Sequence, residues 1–442
     1  MNLIAMLAVH LTLGLCAAPR DPNPSEAATA FAAIQKDWNK AGADYEKAYD
    51  EAKTAADRKL LASKKPNVAQ FAIRYVKLAE AYPGTKEELC SLCWAGLKDS
   101  QSDAGKKAIA KLTGGRIDRA TPADLYKALD FAGNSRGERL APAVLARAKK
   151  SLDDSQAARL LAWVCVAYRH DDSDRAPEPF TEAADLILAK FADEPGISHF
   201  CESLYLNGGP PWAASFEKHL RTISEKNKTP LVRVTSRFAV ASVVRSKGVD
   251  AQGKAEELFR QFIADFAIKT EDDARSGVRK NLLDQARQEL KEIQLCGLGK
   301  KAQAIDGKDL DGQPLKLSDH KGKVVLLVFW ASWCKPCMEE LPHEIKLMKR
   351  FQERPFALVG VNGDDELDAA NDAVKKAGIP WRSIADGKRG NGRIAEAWAV
   401  AEWPTVYVID HTGVIRESRR RGKRLDRPLE ALITEAEKAV RP

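Results

Sequence analysis

The chain has 442 residues, with 70 lysines and arginines against 62 acids for a formal charge of +8, and 8 cysteines. That length allows two or three domains with real cores, and a positive excess spread so thinly makes no case for nucleic-acid binding. The cysteines stand at 16, 90, 93, 165, 201, 296, 334 and 337, an irregular spacing that excludes a small disulfide-stapled framework and leaves stability to burial.

Residues 1–18, MNLIAMLAVHLTLGLCAA, form a short apolar segment closing on small residues, the shape of a secretory signal rather than of a spanning helix. No lysine or arginine precedes the apolar run, and Pro19 follows the expected cut after Ala18. Lipidation at Cys16 stays open beside it, against a Leu15 that is large for a lipobox, as does a retained helix. Residues 19–27 carry three prolines and are predicted to be an extended linker.

From residue 28 to residue 296 the pattern is helical. Phe31, Ile34, Trp38, Tyr45 and Tyr49 recur at helical spacing, predicting one apolar stripe on a long helix that runs to about Lys64 and stops at Pro66. Turn signals come at Pro83-Gly84, Gly114-Gly115, Gly133-Asn134, Asp171-Asp172, Pro195-Gly196, Gly208-Gly209, Gly248 and Gly253, with helix-length apolar stripes between them. Only Leu231 to Val234 reads as strand. The paired texture of AIRYVKLAEAYPGTKEELCSLCWAGL resembles, loosely, a tetratricopeptide-like repeat, but no period of thirty-odd residues holds, and a degenerate all-α array is expected. Such an array would serve as a scaffold or a partner-binding module. Cys90 and Cys93 form a CxxC inside it, yet Leu89, Leu92, Trp94 and Leu97 flank them as a packed helical face, so they read as core residues, with a structural or electron-relay disulfide as the other reading. His170, His199 and His219 lack metal-ligand spacing.

Gly297 to Lys300 marks a hinge into a second domain, expected over residues 301–442. AIDGKDLDGQPLKLSDHKGK suggests a hairpin turning at Asp311-Gly312. Val324 to Phe329 is an uninterrupted apolar run, predicted to be a buried central strand, and it ends abruptly at Ala331-Ser332. At its tip stand Trp333, Cys334 and Cys337. Two intervening residues put the thiols at i and i+3 on the first turn of a helix, close enough to form a disulfide. The attacking species is the thiolate, and a helix N-terminus lowers a thiol's pKa through unpaired amides and the helix dipole. Cys334 is therefore the expected outer nucleophile, with Lys335 adding positive charge, Pro336 suiting a first turn because it has no amide hydrogen to leave unpaired, and Cys337 resolving the mixed disulfide. Half a zinc site is the other use of a CxxC, but zinc takes four ligands and no second pair stands nearby. No metal and no cofactor are expected.

The stretch GQPLKLSDHKGKVVLLVFWASWCKPCMEELP resembles the active-site region of TlpA/ResA-like thiol-disulfide oxidoreductases, of the thioredoxin superfamily. The resemblance implies a thioredoxin fold for residues 301–442. It implies that Pro342 kinks the active-site helix, that Trp403-Pro404-Thr405 is the cis-proline segment facing Cys334, and that Trp333, Lys335, Pro336, Trp403 and Pro404 line the substrate surface. Trp403 departs from the family, which usually has a smaller residue there. Glu340, three residues after Cys337 and on its helical face, would take the role of proton acceptor that ordinary thioredoxins give to an aspartate six residues before the first cysteine, where this chain has Val328. By the same resemblance the direction is reduction of protein disulfides outside the cytoplasm, in the periplasm or at a membrane, with electrons from a membrane thiol transporter of the CcdA/DsbD kind. A thiol peroxidase shares the opening hairpin, but Leu327 and Ala331 stand where that family has proline and threonine or serine.

After the active-site helix the expected elements are a strand at Phe356 to Val361, a helix at Asp368 to Lys376, a short strand at Trp381 to Ile384, a turn or two of helix at Ile394 to Ala399, strands at Thr405 to Ile409 and around Val414-Ile415, and a final helix at Arg427 to Val440. Arg419, Arg420, Arg421, Lys423 and Arg424 form the densest basic cluster, expected to be a solvated hairpin edge, with an acidic partner or anionic lipid as the other reading. The fold class expected is multidomain, an N-terminal all-α array followed by an α/β thioredoxin fold.

Overall fold

A computed structural model of the chain describes residues 23–52, 60–61, 64–133, 137–171, 173–206, 209–267 and 276–440. The expected signal at 1–18, with Cys16 and Ala18, lies outside these residues, as do positions 19–22 of the linker and the turn residues Asn134, Asp172 and Gly208. The chain divides into two compact units between Ala143 and Val144.

The first unit is helical: α1 (Pro24–Glu51), α2 (Val68–Ala81), α3 (Lys86–Lys98), α4 (Asp103–Lys111) and α5 (Pro122–Ala132), with α6 (Ala141–Lys149) beginning at its end. Helix α1 starts inside the stretch expected to be extended linker. Asn23 accepts a hydrogen bond from the Ser25 amide and Pro24 occupies the first turn, a start signal that outweighs the proline content around it. The helix ends at Glu51, well short of Lys64, with Ala52 in extended conformation. The first half of the aromatic stripe packs inward, with Phe31 5.7 Å from Tyr75 and 5.3 Å from Phe131 and Trp38 5.1 Å from both Phe71 and Trp94, whereas Tyr45 stacks on Tyr49, which is exposed. Thr85 caps α3 by accepting from the Glu88 amide, and buried Glu88 in turn accepts from the Gly84 amide and from Arg116 at 2.9 Å.

The second unit opens with α7 (Gln156–Ala167), α8 (Glu178–Lys190), α9 (Ser198–Ser203), α10 (Glu217–Lys226), α11 (Pro230–Arg245), α12 (Gln252–Phe266) and α13 (Ser276–Cys296). Residues 231–234, the one strand-like stretch, lie within α11. Phe180 packs against Trp212 and Phe216, and Phe238 against Phe259 and Phe262. The hinge expected at 297–300 falls inside this unit and is tied to residues 413–415, the Gly299 amide donating to Ile415 O and the Ala302 amide to Gly413 O.

A small hairpin, β1 (Asp306–Lys308) with β2 (Pro314–Lys316), precedes a five-stranded sheet of β3 (Val324–Trp330), β4 (Phe356–Asn362), β5 (Ser383–Ala385), β6 (Thr405–Ile409) and β7 (Ile415–Ser418), in the order β5-β4-β3-β6-β7. β3 runs parallel to β4 and antiparallel to β6. The helices α14 (Lys335–Arg350), α15 (Leu367–Ala377), α16 (Arg393–Ala397) and α17 (Asp426–Val440) join or follow the strands. β3 is buried along its whole length, and its period of two sorts the core: Val324, Leu326, Val328 and Trp330 pack with Leu341, Leu347, Leu429 and Ile433, while Val325, Leu327 and Phe329 pack with Ile394, Trp398 and Tyr407. A strand covered on both faces needs apolar residues at every position, which is why the run is uninterrupted.

The basic cluster is solvated at Arg419, Arg420 and Lys423, as expected of an edge, but its first arginine is also tied to a helix far away in sequence. Arg419 forms ion pairs with Glu289 (2.6 Å) and Glu292 on α13, while Arg420 pairs locally with Glu417 at 2.7 Å.

Candidate active site

The site is built on the tip of β3. Beyond Trp330 the chain is fixed by a buried carboxylate: the Ser332 amide donates to Asp364 Oδ2 (2.9 Å) and its hydroxyl donates to Oδ1 (2.7 Å). Asn362 Nδ2 also donates to Oδ2 (2.8 Å), and the Asp364 amide donates back to Asn362 Oδ1 (3.1 Å). Since Asn362 ends β4 opposite Trp330, the parallel pairing of the two central strands sets where Ser332, and hence Cys334, stands.

Cys334 is the N-cap of α14, in extended conformation, with its sulfur accepting from the Cys337 amide at 3.1 Å. Sulfur takes the place that a serine or asparagine oxygen usually fills. Cys334 and Cys337 are joined in a disulfide, with Cα atoms 5.2 Å apart, and are 4% and 2% exposed. Pro336 lies in the first turn. Lys335 projects into solvent, 3.5 Å from Glu339. Pro342 sits inside α14 and leaves the Met338 carbonyl without its helical donor.

The Trp403–Pro404 peptide is cis, and Thr405 pairs with Phe329, so this segment runs beside the tip that carries the cysteines. The Trp403 ring lies 5.6 Å from exposed Trp333 and 6.4 Å from Phe329. Two glycines make room for it: a Cβ on Gly363 would stand 2.7 Å from Trp403 Cη2, and one on Gly390 2.8 Å from its Nε1. The large indole is therefore seated against Trp333, the residue before Cys334, in a slot left open by Gly363 and Gly390.

Glu340 is half-buried, with its carboxylate against the loop after β7, where a Cβ on Gly422 would lie 3.5 Å from Oε2. Val328 is in the core. One turn beyond Glu340, Glu344 is 4% exposed, and burial, with the Glu340 charge adding, pushes its carboxyl up to about 8. A carboxylate at an inward position of α14, between Leu341 and Leu347, was visible in the sequence as a break in an apolar stripe. Asp364 and Ser332, by contrast, left no sequence signal, because their pairing depends on the register of β3 and β4.

Among the described residues, Cys90, Cys93, Cys165, Cys201 and Cys296 are free. Burial pushes Cys90 up to about 11 and raises Cys93 further, which suppresses their thiolates. His199 and His219 sit against Glu202 and Asp185, each at 2.9 Å. Among the described residues, no cluster of three or more potential ligands could hold a metal ion.

The AhpC/TSA family profile matches residues 298–418. The chain is 33% identical over 121 residues to thiol-disulfide oxidoreductase ResA of Bacillus thuringiensis subsp. konkukian, a match covering 27% of this chain and 68% of that protein. It is 36% identical over 129 residues to the thioredoxin-like protein YneN of Bacillus subtilis, covering 27% and 69%. The crystallised thioredoxin domain of a thiol-disulfide oxidoreductase from Bacteroides vulgatus is 28% identical, over 31% of this chain and 98% of that one, with a TM-score of 0.29. With a helix-capping CxxC at the end of the central strand and kinship of this extent to ResA, the chain belongs, through its C-terminal part, to the ResA-type thiol-disulfide oxidoreductases of the thioredoxin superfamily.

Proposed function

We propose that this oxidoreductase acts outside the cytoplasm as a reductant of protein disulfides, with Cys334 as the attacking sulfur. The position of Cys334 carries the reading: it caps α14, receives the Cys337 amide, and is the more exposed of the two cysteines. Unpaired amides and the helix dipole favour its thiolate. In the dithiol state Cys334 attacks a client disulfide, forming a mixed disulfide and releasing one client thiolate. Cys337 then loses its proton to Glu340 and attacks the Cys334 sulfur. That closes the Cys334–Cys337 bond and releases the second client thiol, so two electrons and two protons pass to the client. Trp333, Lys335, Pro336, Trp403 and Pro404 form the surface on which the client lies.

Electrons return from a membrane thiol donor of the CcdA/DsbD kind, as in the family the chain resembles. The apolar segment at residues 1–18 supports export, to a location that is periplasmic or membrane-associated. No helix among the described residues is long and apolar enough to cross a membrane. Residues 301–442 are the catalytic domain in this reading, and residues 28–296 a scaffold or partner-binding module.

The test is insulin reduction by the full chain with dithiothreitol as electron source. Wild type should accelerate it, C334S should not, and neither should consume hydrogen peroxide. Undiminished insulin reduction by C334S would remove Cys334 from the mechanism.

A further inference from the structure

The loop between β7 and α17 touches two places at once. At its start Arg419 stands in the left-handed region, with φ of 63°, where a residue with a side chain stays only if its surroundings hold it. Its amide donates to Val406 O at 3.1 Å. Its guanidinium leaves the sheet and enters an ion-paired group on the helical region: Nη1 reaches Glu289 at 2.6 Å, and Nε stands 3.1 and 3.2 Å from the two oxygens of Glu292. Arg245 of α11 completes the group, 2.9 Å from Glu292 and paired also with Glu289. Glu292 is buried. Burial pushes its carboxyl up, but Arg245 and Arg419 outweigh it and hold the carboxyl well below the usual range. Further along the loop, Arg424 donates to the Asp171 carbonyl at 3.3 Å.

Between these anchors the loop passes the active-site helix. Gly422 lies against the Glu340 carboxylate. Arg421 is half-buried, and there burial lowers its pKa while the charges of Glu402 and Glu340 oppose that. Of the charged groups here, Glu344 on the same helix and Arg421 in the loop feel the Glu340 charge, Glu402 ahead of the cis-proline acts on Arg421, and His343, next in α14 to Glu344, pairs with Asp426 at 3.0 Å.

We propose that Arg419 is a positioning residue through which the helical region, by way of Glu289 and Glu292, fixes the 419–425 loop against Glu340 and so holds Glu340 in place for proton transfer with the Cys334/Cys337 couple. This gives residues of the helical region a part in exchange chemistry without contact with the client. It rests on the reading of Glu340 as proton acceptor.

The experiment is the reduction potential of the Cys334/Cys337 couple in the full chain, measured in dithiothreitol redox buffers across pH. A titrating group linked to the couple shows as a bend in potential against pH. Wild type should show a bend that E340Q abolishes, and R419Q and E292Q should each move it by about half a pH unit or more, the size expected when a nearby charge is displaced. If E340Q abolishes the bend while R419Q and E292Q leave it in place, the positioning role is wrong and the Glu340 reading stands. If E340Q keeps the bend, the Glu340 reading fails and this proposal with it. Should R419Q not fold, as judged by near-ultraviolet circular dichroism, E289Q loosens the same group while leaving Glu292 between both arginines, and an unmoved bend there overturns the proposal equally.

Discussion

Glu344→Gln should make the protein more stable at alkaline pH. Glu344 lies in the core beneath α14, its carboxyl raised from 4.5 to about 8 chiefly by burial and secondly by the Glu340 charge. Because the folded value lies above the unfolded one, the folded chain binds the extra proton. The group's contribution is whole below about pH 4.5 and is lost as pH rises through about 8. At about 1.4 kcal/mol per pH unit, that loss amounts to roughly 5 kcal/mol over the window, an upper figure because water can reach a charged core group. Glutamine keeps the size and removes the titration. The assay is the urea midpoint of the oxidised full chain against pH for wild type and E344Q, whose difference cancels every other titrating group. The E344Q curve should rise above wild type by a few kcal/mol between about pH 5 and about pH 9. Parallel curves would refute the reasoning, since Glu344 would then titrate like an exposed glutamate.

Asp364→Ala removes the acceptor for the Ser332 amide, the Ser332 hydroxyl and Asn362. It should cost about 1–3 kcal/mol in chemical unfolding and slow insulin reduction, because the tip before Cys334 loses its anchor. Gly390→Ala brings a Cβ within 2.8 Å of the Trp403 indole at a φ of +85°, and should shift tryptophan emission and weaken insulin reduction while the disulfide still forms. Trp398→Ala empties a fully buried site against Phe329 and Tyr407 and should cost about 3–5 kcal/mol, read from the same urea midpoint.

Much of the C-terminal fold could be read from the sequence because its constraints are local. A central strand covered on both faces must be apolar throughout, so Val324 to Phe329 declared itself, and the helix over Leu367–Ala377 and the strand over Thr405–Ile409 begin and end within a residue or so of the expected limits. Cys334 and Cys337 meet in a disulfide, and Pro404 is cis, as the motif implied. The features that stayed hidden depend on partners distant in sequence. Asp364 finds Ser332 only through the register of two strands, and Arg419 finds Glu292 across 127 residues, so the first arginine of a run that reads as a solvated edge is also held by another part of the chain. The start of α1 at Pro24 is a different failure. There the Asn-Pro capping signal lay in plain view, obscured by the prolines around it.

Whether Cys334 is the sulfur that meets the client is tested most directly by trapping the mixed disulfide. Reduced full-length protein lacking the resolving thiol, C337S, is mixed with insulin and resolved without reductant beside C334S. The C337S protein should accumulate a covalent insulin adduct that maps to Cys334 by peptide mass, while C334S should carry none. An adduct on Cys337 in the C334S protein, with none on Cys334 in C337S, would contradict the assignment.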